Sequence, residues 1–288
     1  RAAPGRRRYP LPRAMFVTIQ SVFLAVIGLI VLVPLAVIFV GTFQDGGEIM
    51  RSGLRLDVDV SSFRLDNYVM LLTDSGLYFR WFANSVGLTV VQVAGTLLVS
   101  SFVAYGFAMY DFKGKTAAFI AVLLLMTVPF EIMMLPLYVM VNDLGLADSY
   151  AVIVLPFLAA SVTIFFFRQY FTGDPPRSCS RRAASTASPS SASSSRSSCP
   201  ISRPALAAMG ILNGMVTWNN FLWPPLLVLR SAEKFTLPIG LNTLLTPYGN
   251  NYDLLIIGSF FSLLPVLVLF LCFQRFFVAG MTAGGRSS

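Results

Sequence analysis

The chain has 288 residues, of which 56% are hydrophobic and only 12% are charged. Soluble domains carry about 25% charged residues, so this composition excludes an ordinary soluble protein and indicates an integral membrane protein. The chain contains no histidine, which excludes an imidazole-based catalytic site. Its three cysteines lack the paired spacing of a metal site or a disulfide framework. A net charge of +8 could suit nucleic acid, but in a membrane protein the distribution of charge among the loops is the better guide.

The chain begins with a basic tail, residues 1–14, which precedes an apolar stretch at 15–42. This order also occurs in secretory signal peptides, but the apolar stretch is too long and has no small-residue cleavage site. We therefore predict a retained first transmembrane helix. The acid-rich segment 43–81 is predicted to be an external loop that forms a small exposed cap with little core of its own.

Five further transmembrane helices are predicted at 82–109, 116–141, 148–170, 204–228 and 254–276. Each stretch reaches the roughly 20 residues that cross a hydrocarbon core about 30 Å thick. Backbone groups in lipid must be satisfied within their own segment, so these stretches are helices. The predicted fold class is all-α, a polytopic membrane protein with about six transmembrane helices. A five-helix core would span 82–276 and include a loop at 171–203, and a tail would follow at 277–288.

Lysine and arginine are concentrated in loops that alternate with acidic ones. Loops on the cytoplasmic side carry an excess of Lys and Arg. We therefore place both termini and the 171–203 loop in the cytoplasm, and acids such as Asp57, Asp148 and Asp253 outside. The predicted location is the inner (plasma) membrane.

Prolines interrupt several of the predicted helices, at positions 34, 129, 136, 156, 224, 225 and 265. Neighbouring helices and polar side chains commonly satisfy the carbonyl groups that such prolines free in membrane bundles. The alternative is that 129–136 and 223–225 are pivots, or breaks that line a cavity, in a moving transporter. The sequence leaves both interpretations open.

Several strings in register carry a family resemblance. They are FANSVGLTVV from residue 82, AYGFAMYDFKGK from 104, TVPFEIMMLPLYVMVNDLGLADSYAVIVLP from 127, PISRPALAA from 200, TWNNFLWPPLLVL from 217, KFTLPIGL from 234 and QRFFVAGMTAGG from 274. Together they resemble the permease family of binding-protein-dependent ABC importers. The resemblance covers about residues 15–285 and is closest to the smaller, six-helix permease of the maltose-type carbohydrate subfamily.

The resemblance implies the type I ABC importer permease fold and a division of labour. A second, different permease would complete the pathway, two copies of a cytoplasmic ABC ATPase would drive it, and an extracytoplasmic sugar-binding protein would deliver the sugar. The chain itself would have no catalytic residue, metal site or cofactor, and no nucleic-acid partner. In this family the ATPase grips the cytoplasmic loop between the fourth and fifth helices, whose motif begins E-A-A with a glycine about three residues later.

The chain departs from this motif at residues 174–199, DPPRSCSRRAASTASPSSASSSRSSC, where eleven of 26 residues are serine. Such a composition cannot bury apolar surface. We interpret it as a frame-shifted reading, because GC-rich codons read from the third base of the Arg177 codon allow ELLEA, RVDG and ELRIFF before ISRPAL. The alternative, a genuine Ser/Arg-rich linker, would leave the ATPase without its contact. The predicted coupling-loop residues are Arg177, Ser180, Arg182, Ala183, Pro200 and Arg203.

The candidate residues of the translocation path are Asn84, Glu131, Trp218, Asn219 and Asn220. A charge within the membrane is costly and often functional, which singles out Glu131; a solvated carboxylate near the outer interface is the alternative. Buried amides hydrogen-bond across helices in many bundles, whereas an indole can stack on a pyranose while amides pair with hydroxyls. Both the structural and the sugar-binding interpretation of the amides and Trp218 therefore stay open.

The segment 230–253 resembles the family loop that reaches into the binding protein. The candidate contacts are Thr246, Pro247, Tyr248 and Gly249, and a plain solvated connection is the alternative. An ion-coupled secondary transporter is the main rival function, but such folds often show two similar halves and this chain has no visible repeat. A membrane-embedded enzyme has no supporting nucleophile motif or phosphate-binding glycine loop. We predict a permease subunit of an ATP-driven importer for a sugar or oligosaccharide.

Overall fold

The computed structural model describes residues 13–52, 63–73, 76–173, 203–221, 223, 229–246 and 249–284. The chain divides into two compact units. The first comprises Arg1–Ser75 and Leu244–Phe260, and the second comprises Gly76–Thr243 and Phe261–Ser288.

The first unit contains α1 (Arg13–Gly41), α2 (Gly46–Ser52), α3 (Asp66–Thr73) and the hairpin strands β1 (Leu245–Thr246) and β2 (Gly249–Asn250). The second unit contains α4 (Tyr78–Met109), α5 (Lys115–Thr127), α6 (Phe130–Asp143), α7 (Tyr150–Val154), α8 (Ser161–Gly173), α9 (Arg203–Trp218) and α10 (Leu237–Thr243). Short 3-10 turns occupy Leu155–Phe157 and Ala232–Lys234. The last helix, α11 (Tyr252–Gly284), begins in the first unit and continues in the second.

The described residues include four spans that are long and apolar enough to cross a bilayer, at Met15–Gly41, Tyr78–Met109, Tyr150–Thr172 and Tyr252–Leu271, where Tyr150–Thr172 comprises α7, the 3-10 turn and α8. A fifth span is added if the bent pair α5 and α6 is counted as one. Residues 15–34 of α1 are all exposed, which is typical of a helix whose solvent is lipid. The predicted fifth span, 204–228, is described only as far as 221 and at 223. Within that part, α9 ends at Trp218 and is shorter than the other spans.

The first unit packs the predicted external cap around a few buried polar groups. The Asn67 amide donates to the carbonyls of Thr42 and Gln44, at 3.0 and 2.9 Å. The Gly46 amide donates to the Asp253 carboxylate at 2.6 Å. A Cβ added to Gly46 would come within 2.6 Å of the Tyr252 backbone, so glycine permits this close approach. These contacts fasten the start of α2 to the start of α11.

Two spans that the sequence predicts as continuous are broken in the structure. The predicted helix 116–141 is divided into α5 and α6, which are bent by 101° at Val128 and Pro129. Proline lacks an amide hydrogen, and the residue before it is pushed out of the helical region. The predicted helix 148–170 is divided into α7 and α8, with a non-helical break that follows Pro156.

An apolar cluster lies where α4, α8 and α9 meet. Its buried members are Ala104, Phe107, Ile164, Phe167, Phe171, Ala205 and Met209. It includes residues near the last turn of α8 and the first turn of α9, the two helices that flank the 174–202 segment. We call this part of the second unit the loop end.

Candidate functional site

The polarity of α4 is inverted relative to a helix of a soluble protein. Its buried stripe carries the polar side chains Ser85, Thr89, Gln92, Thr96 and Ser100. Large apolar residues on other faces of the helix are exposed, including Val90, Leu98 and Phe102. In lipid there is no penalty for an exposed apolar face, and polar side chains are placed where they can hydrogen-bond across helices.

Three of these buried hydroxyls bond to backbone groups of other elements. Thr96 Oγ1 donates to the carbonyl of Phe157 at 3.0 Å, and Ser100 Oγ donates to the carbonyl of Leu158 at 3.2 Å. Ser85 Oγ accepts the Leu237 amide at 2.7 Å. The hydroxyls of α4 therefore satisfy backbone groups at the break between α7 and α8 and at the start of α10.

The Trp223 side chain hydrogen-bonds to a backbone carbonyl that lies one helical turn before Pro156. Because Pro156 has no amide hydrogen, the carbonyl of Val152 loses its helical donor. The Trp223 indole donates to this carbonyl at 3.4 Å, and its side chain is fully buried. Its ring packs edge-on against Phe130 at 5.6 Å between centroids. The freed carbonyl at Pro156 is thus satisfied by a neighbouring side chain.

Trp218, a predicted path residue, makes a similar contact near Pro265. Its indole donates to the carbonyl of Ser262 at 3.1 Å, and its ring meets Phe82 edge-on at 5.8 Å. A cavity of about 120 Å³ lies beside it between α4, α9 and α11. The side chain is only 7% exposed. This contact makes Trp218 a link between α9 and α11.

A polar cluster at the opposite end of the second unit is centred on Asp148. Its carboxylate accepts from the amides of Arg230 and Ser231 at 3.0 and 3.2 Å, from the Ser231 hydroxyl at 2.6 Å and from Lys234 Nζ at 2.9 Å. Lys234 Nζ also donates to the Asp148 carbonyl at 2.6 Å. The Arg230 guanidinium donates to Asn142 Oδ1 at 3.0 Å. We call these residues the Asp148 bracket, and this part of the unit the bracket end.

The electrostatics of the bracket favour the charged carboxylate. Hydrogen bonds from Lys234, then from the Ser231 hydroxyl and the Arg230 amide, hold the pKa of Asp148 well below its usual range. The backbone of Asp148 adopts φ +60°, a left-handed conformation that aspartate tolerates better than most residues. The bracket therefore fixes the turn between α6 and α7 to the segment 230–234.

The same segment is also fixed to the start of α4. The Trp81 indole donates to the carbonyl of Ala232 at 2.8 Å. Asn84, a predicted path residue, donates to the carbonyls of Glu233 and Phe235 at 2.8 and 2.9 Å. Arg80 and Glu233 form an exposed ion pair at 3.3 Å. The amide of Asn84 thus has a structural role in which both of its hydrogens hold irregular backbone.

The remaining predicted path residues lie apart from this arrangement. Glu131 is exposed in the first turn of α6, just after the bend, where the helix N-terminus favours a carboxylate. Asn219 donates to the carbonyl of Met215 at 2.9 Å. Asn220 Oδ1 accepts the Trp223 amide at 3.4 Å. The two asparagines stabilise the end of α9.

The predicted coupling-loop and binding-protein residues are described only in part. Arg177, Ser180, Arg182, Ala183 and Pro200 lie outside the described residues, as do Pro247 and Tyr248. Arg203 is the first residue of α9. Thr246 pairs with Gly249 in the antiparallel hairpin, so the strands bracket positions 247 and 248.

The sequence does not predict the hydrogen bonds that join Asp148 to Ser231 and Lys234, or Thr96 and Ser100 to the break between α7 and α8. It predicts Asp148 only as an external acid and Lys234 only as part of the KFTLPIGL string. One signal was available: hydroxyl and amide side chains recur in α4 at positions 85, 89, 92, 96 and 100. This helical spacing indicates one polar face on an otherwise apolar helix.

Comparison with known proteins identifies relatives over almost the whole chain. The arabinooligosaccharides transport system permease protein AraQ of Bacillus subtilis (strain 168) is 45% identical over 265 residues, 92% of this chain and 94% of the relative. The lactose transport system permease protein LacG of Rhizobium radiobacter is 30% identical over 280 residues, 91% of this chain and 94% of the relative. No family model matches the chain.

A solved structure shows the same fold. The crystal structure of a bacterial ABC transporter involved in the import of the acidic polysaccharide alginate has a chain that matches with a TM-score of 0.72 and 21% identity. The match covers 94% of this chain and 100% of that chain. The fold class and the family predicted from the sequence are confirmed. The chain belongs to the carbohydrate-type permease family of binding-protein-dependent ABC importers, as a multi-pass membrane transport subunit without a catalytic site of its own.

Proposed function

We propose that this permease forms half of the pathway of an importer for arabinose-containing oligosaccharides. The observation that carries the proposal is the 45% identity to AraQ across 92% of the chain. A second AraQ protein, from Halalkalibacterium halodurans, is 46% identical over 91% of the chain. LacG, whose name specifies lactose, is more distant at 30%, which favours the arabinose-containing substrate over lactose.

The partners in this proposal are a second permease, two copies of a cytoplasmic ATPase and an extracytoplasmic sugar-binding protein. The loop end would face the cytoplasm, and the 171–203 loop would receive the ATPase. The packing of the loop end supports this assignment, because Phe171 and Ala205 are buried in one apolar cluster. A force applied to the loop would then reach α8, α9 and α4 together.

The ion-coupled alternative has no comparable support, since the relatives are named as permease proteins of transport systems of the ABC class. The segment 247–248 between β1 and β2 would contact the binding protein. Glu131 and Asn219, which are exposed, would be available to the pathway, whereas Trp218 and Asn84 would support its walls through their bonds to backbone carbonyls.

The test is complementation of a Bacillus subtilis strain that lacks AraQ but retains the other subunits of that system. Two forms of the chain are compared: the printed sequence, and a form in which residues 174–202 are replaced by the corresponding loop of AraQ. We expect uptake of radiolabelled arabinotriose with the replaced loop and none with the printed loop. A serine-rich segment that buries no apolar surface cannot transmit the movement of the ATPase to the helices. AraQ itself is the positive control.

Membrane levels of both forms are compared by immunoblot. Absence of uptake by the loop-replaced form, at a membrane level equal to that of AraQ, contradicts the proposed function. Uptake that persists after deletion of the ATPase gene and stops when an uncoupler is added supports the ion-coupled alternative instead. Full uptake by the printed form contradicts the frame-shift interpretation and leaves the importer assignment intact.

A further inference from the structure

The fourth span, which comprises α7 and α8, is interrupted between these two helices. The backbone groups at this break lack the hydrogen bonds of a regular helix. Residues 158–160 lie outside helical structure, and Pro156 removes the donor for the Val152 carbonyl. In a membrane, a backbone group left without a hydrogen-bond partner is strongly destabilising, because no water is present to replace the partner. A span with this break is stable only if side chains from other elements supply the missing hydrogen bonds.

Side chains of α4 and the side chain of Trp223 supply these hydrogen bonds. Thr96 and Ser100 of α4 donate to the carbonyls of Phe157 and Leu158, and Trp223 donates to that of Val152. All three side chains are at most 2% exposed. Buried hydrogen bonds at neighbouring positions of one break restrict both its angle and its rotation.

Close packing restricts the break further. A Cβ added to Gly95 of α4 would lie 2.5 Å from Cδ2 of Leu158. The absence of a side chain at this glycine therefore lets Leu158 lie directly on the α4 backbone. The ring of Phe157 also packs beside that of Phe130, at 5.0 Å between centroids. Half-buried packing against α4 and α6 therefore adds to the buried hydrogen bonds that hold the break.

The position of the break gives it a mechanical importance. On one side, Phe167 and Phe171 of α8 are buried in the loop-end cluster. On the other side, Ile153 of α7 is buried with Leu88, Leu229 and Ile239, and Asp148 lies two residues before α7. Any movement of α8 relative to α7 must occur at residues 155–160.

We propose that Thr96, Ser100 and Trp223 are positioning residues that keep this break rigid during transport. A displacement of α8 by the ATPase then moves α7 and the bracket end with it, instead of being absorbed at the break. The rigidity of the break is inferred from these contacts alone; only the source of the displacement rests on the proposed function. These residues bind no substrate in this mechanism and act through the shape of the fourth span.

Amide hydrogen exchange of the purified full-length chain in lipid nanodiscs tests whether the break is rigid. The variant Thr96→Val with Ser100→Ala removes both hydroxyls at nearly constant volume. We expect exchange at residues 157–164 to become roughly tenfold faster, as for the loss of two hydrogen bonds of modest net strength. Thr96→Ser with Ser100→Thr keeps both hydroxyls and should retain the parent rates. Trp223→Phe should accelerate exchange in the same segment by a smaller factor.

Ser101→Ala is the matched control. Ser101 lies next to Ser100 on α4, but its hydroxyl donates to the Leu98 carbonyl of the same helix at 2.9 Å. Its removal should leave exchange at residues 157–164 unchanged. Equal exchange in the Thr96→Val, Ser100→Ala variant and in the parent overturns the proposal, whether or not the chain transports sugar.

The coupling ratio in the assembled transporter is the second measurement. In the loop-replaced form with its partner subunits, the number of sugars imported per ATP hydrolysed should fall several-fold in the Thr96→Val, Ser100→Ala variant while ATP hydrolysis continues. An unchanged ratio despite faster exchange shows that a rigid break is not needed for coupling and also overturns the proposal. If the parent assembly imports no sugar, the proposed function has failed, and the exchange rates alone decide whether the break is rigid.

Discussion

The loop end and the bracket end of the second unit are held together by different forces. At the loop end, α4, α8 and α9 bury phenylalanine, alanine and isoleucine side chains against one another. At the bracket end, the Asp148 carboxylate accepts from backbone amides of the irregular segment 230–235 and from Lys234 Nζ, and the Asn84 amide donates to carbonyls of the same segment. Regular helices satisfy their own backbone groups and need only packing, whereas a non-helical segment needs outside donors and acceptors.

The two ends therefore differ in how they should respond to substitutions and to pH. Packing at the loop end depends on the shape and volume of side chains and is independent of protonation. The bracket depends on one ionised group whose partners lie more than 80 positions away in the chain. The following predictions test this difference, from the largest expected effect to the smallest.

The largest effect is expected for Phe167→Ala at the loop end. Phe167 is fully buried, and its truncation leaves a cavity, so the free energy of unfolding should fall by about 3–5 kcal/mol. Titration with SDS in mixed micelles measures this quantity. Phe102→Ala is the matched control, since Phe102 is 69% exposed on α4, and it should change stability by less than about 1 kcal/mol. Equal losses in the two variants would mean that the loop end is not a packed core.

A smaller effect is expected for Asp148→Ala at the bracket end. The substitution leaves the amides of Arg230 and Ser231 and the Lys234 ammonium without their shared acceptor. Because the Asp148 side chain is 23% exposed and that of Lys234 41%, solvent reduces the loss to about 2 kcal/mol. The same SDS titration measures it. Asp143→Ala, at the exposed end of α6, is the control and should be nearly neutral; a comparable loss there would contradict the bracket.

The pH dependence of stability separates the two ends. The pKa of Asp148 is lower in the folded chain than in the unfolded chain, so the folded state binds fewer protons and the stabilisation is complete above the ordinary carboxyl pKa of about 3.9. It is lost as the pH falls below that value. The stability difference between the parent and Asp148→Asn should therefore be constant between about pH 6 and pH 5 and should shrink progressively as the pH falls below about 4. The difference between the parent and Phe167→Ala should stay constant over the same range.

The smallest effect is expected for Glu233→Gln. Glu233 pairs with Arg80 at 3.3 Å, but the two side chains are 63% and 58% exposed. Exposed ion pairs contribute little, so the unfolding free energy should change by less than about 0.5 kcal/mol. A loss as large as that of Asp148→Ala would show that the pair, and not the bracket, fastens the segment 230–235 to the rest of the bundle.

The helical stretches of this chain were predictable because their signal is local. Long uncharged segments such as 15–42 and 82–109 correspond to α1 and α4, with α4 starting four residues earlier. The breaks were less predictable. Pro136 lies inside α6 and Pro265 inside α11, whereas Pro129 marks a bend of 101°, and nothing in the local sequence distinguishes these prolines. The outcome depends on which neighbouring side chains can satisfy the freed carbonyls.

The candidate site shows the same difference between local features, which the sequence predicts, and long-range contacts, which it does not predict. The amides of Asn84 and Asn220 and the indole of Trp218 were identified as polar groups in apolar helices, but their partners were not. The Asn84 amide meets carbonyls about 150 positions away, and the Trp218 indole meets one 44 positions away. Spacing along one helix carries no information about such partners.

The sequence by itself determined that the chain lies in a membrane, approximately where its helices run and to which family it belongs, because hydrophobicity and motif order are properties of the linear chain. Only the tertiary structure decided that the third and fourth spans are broken and that hydroxyls of α4 bond to one of these breaks. It also decided that Asp148 accepts hydrogen bonds from the segment 230–234. Each of these features joins distant segments. A buried hydrogen bond forms only where folding brings a donor and an acceptor within about 3 Å, and that coincidence cannot be read from either segment alone.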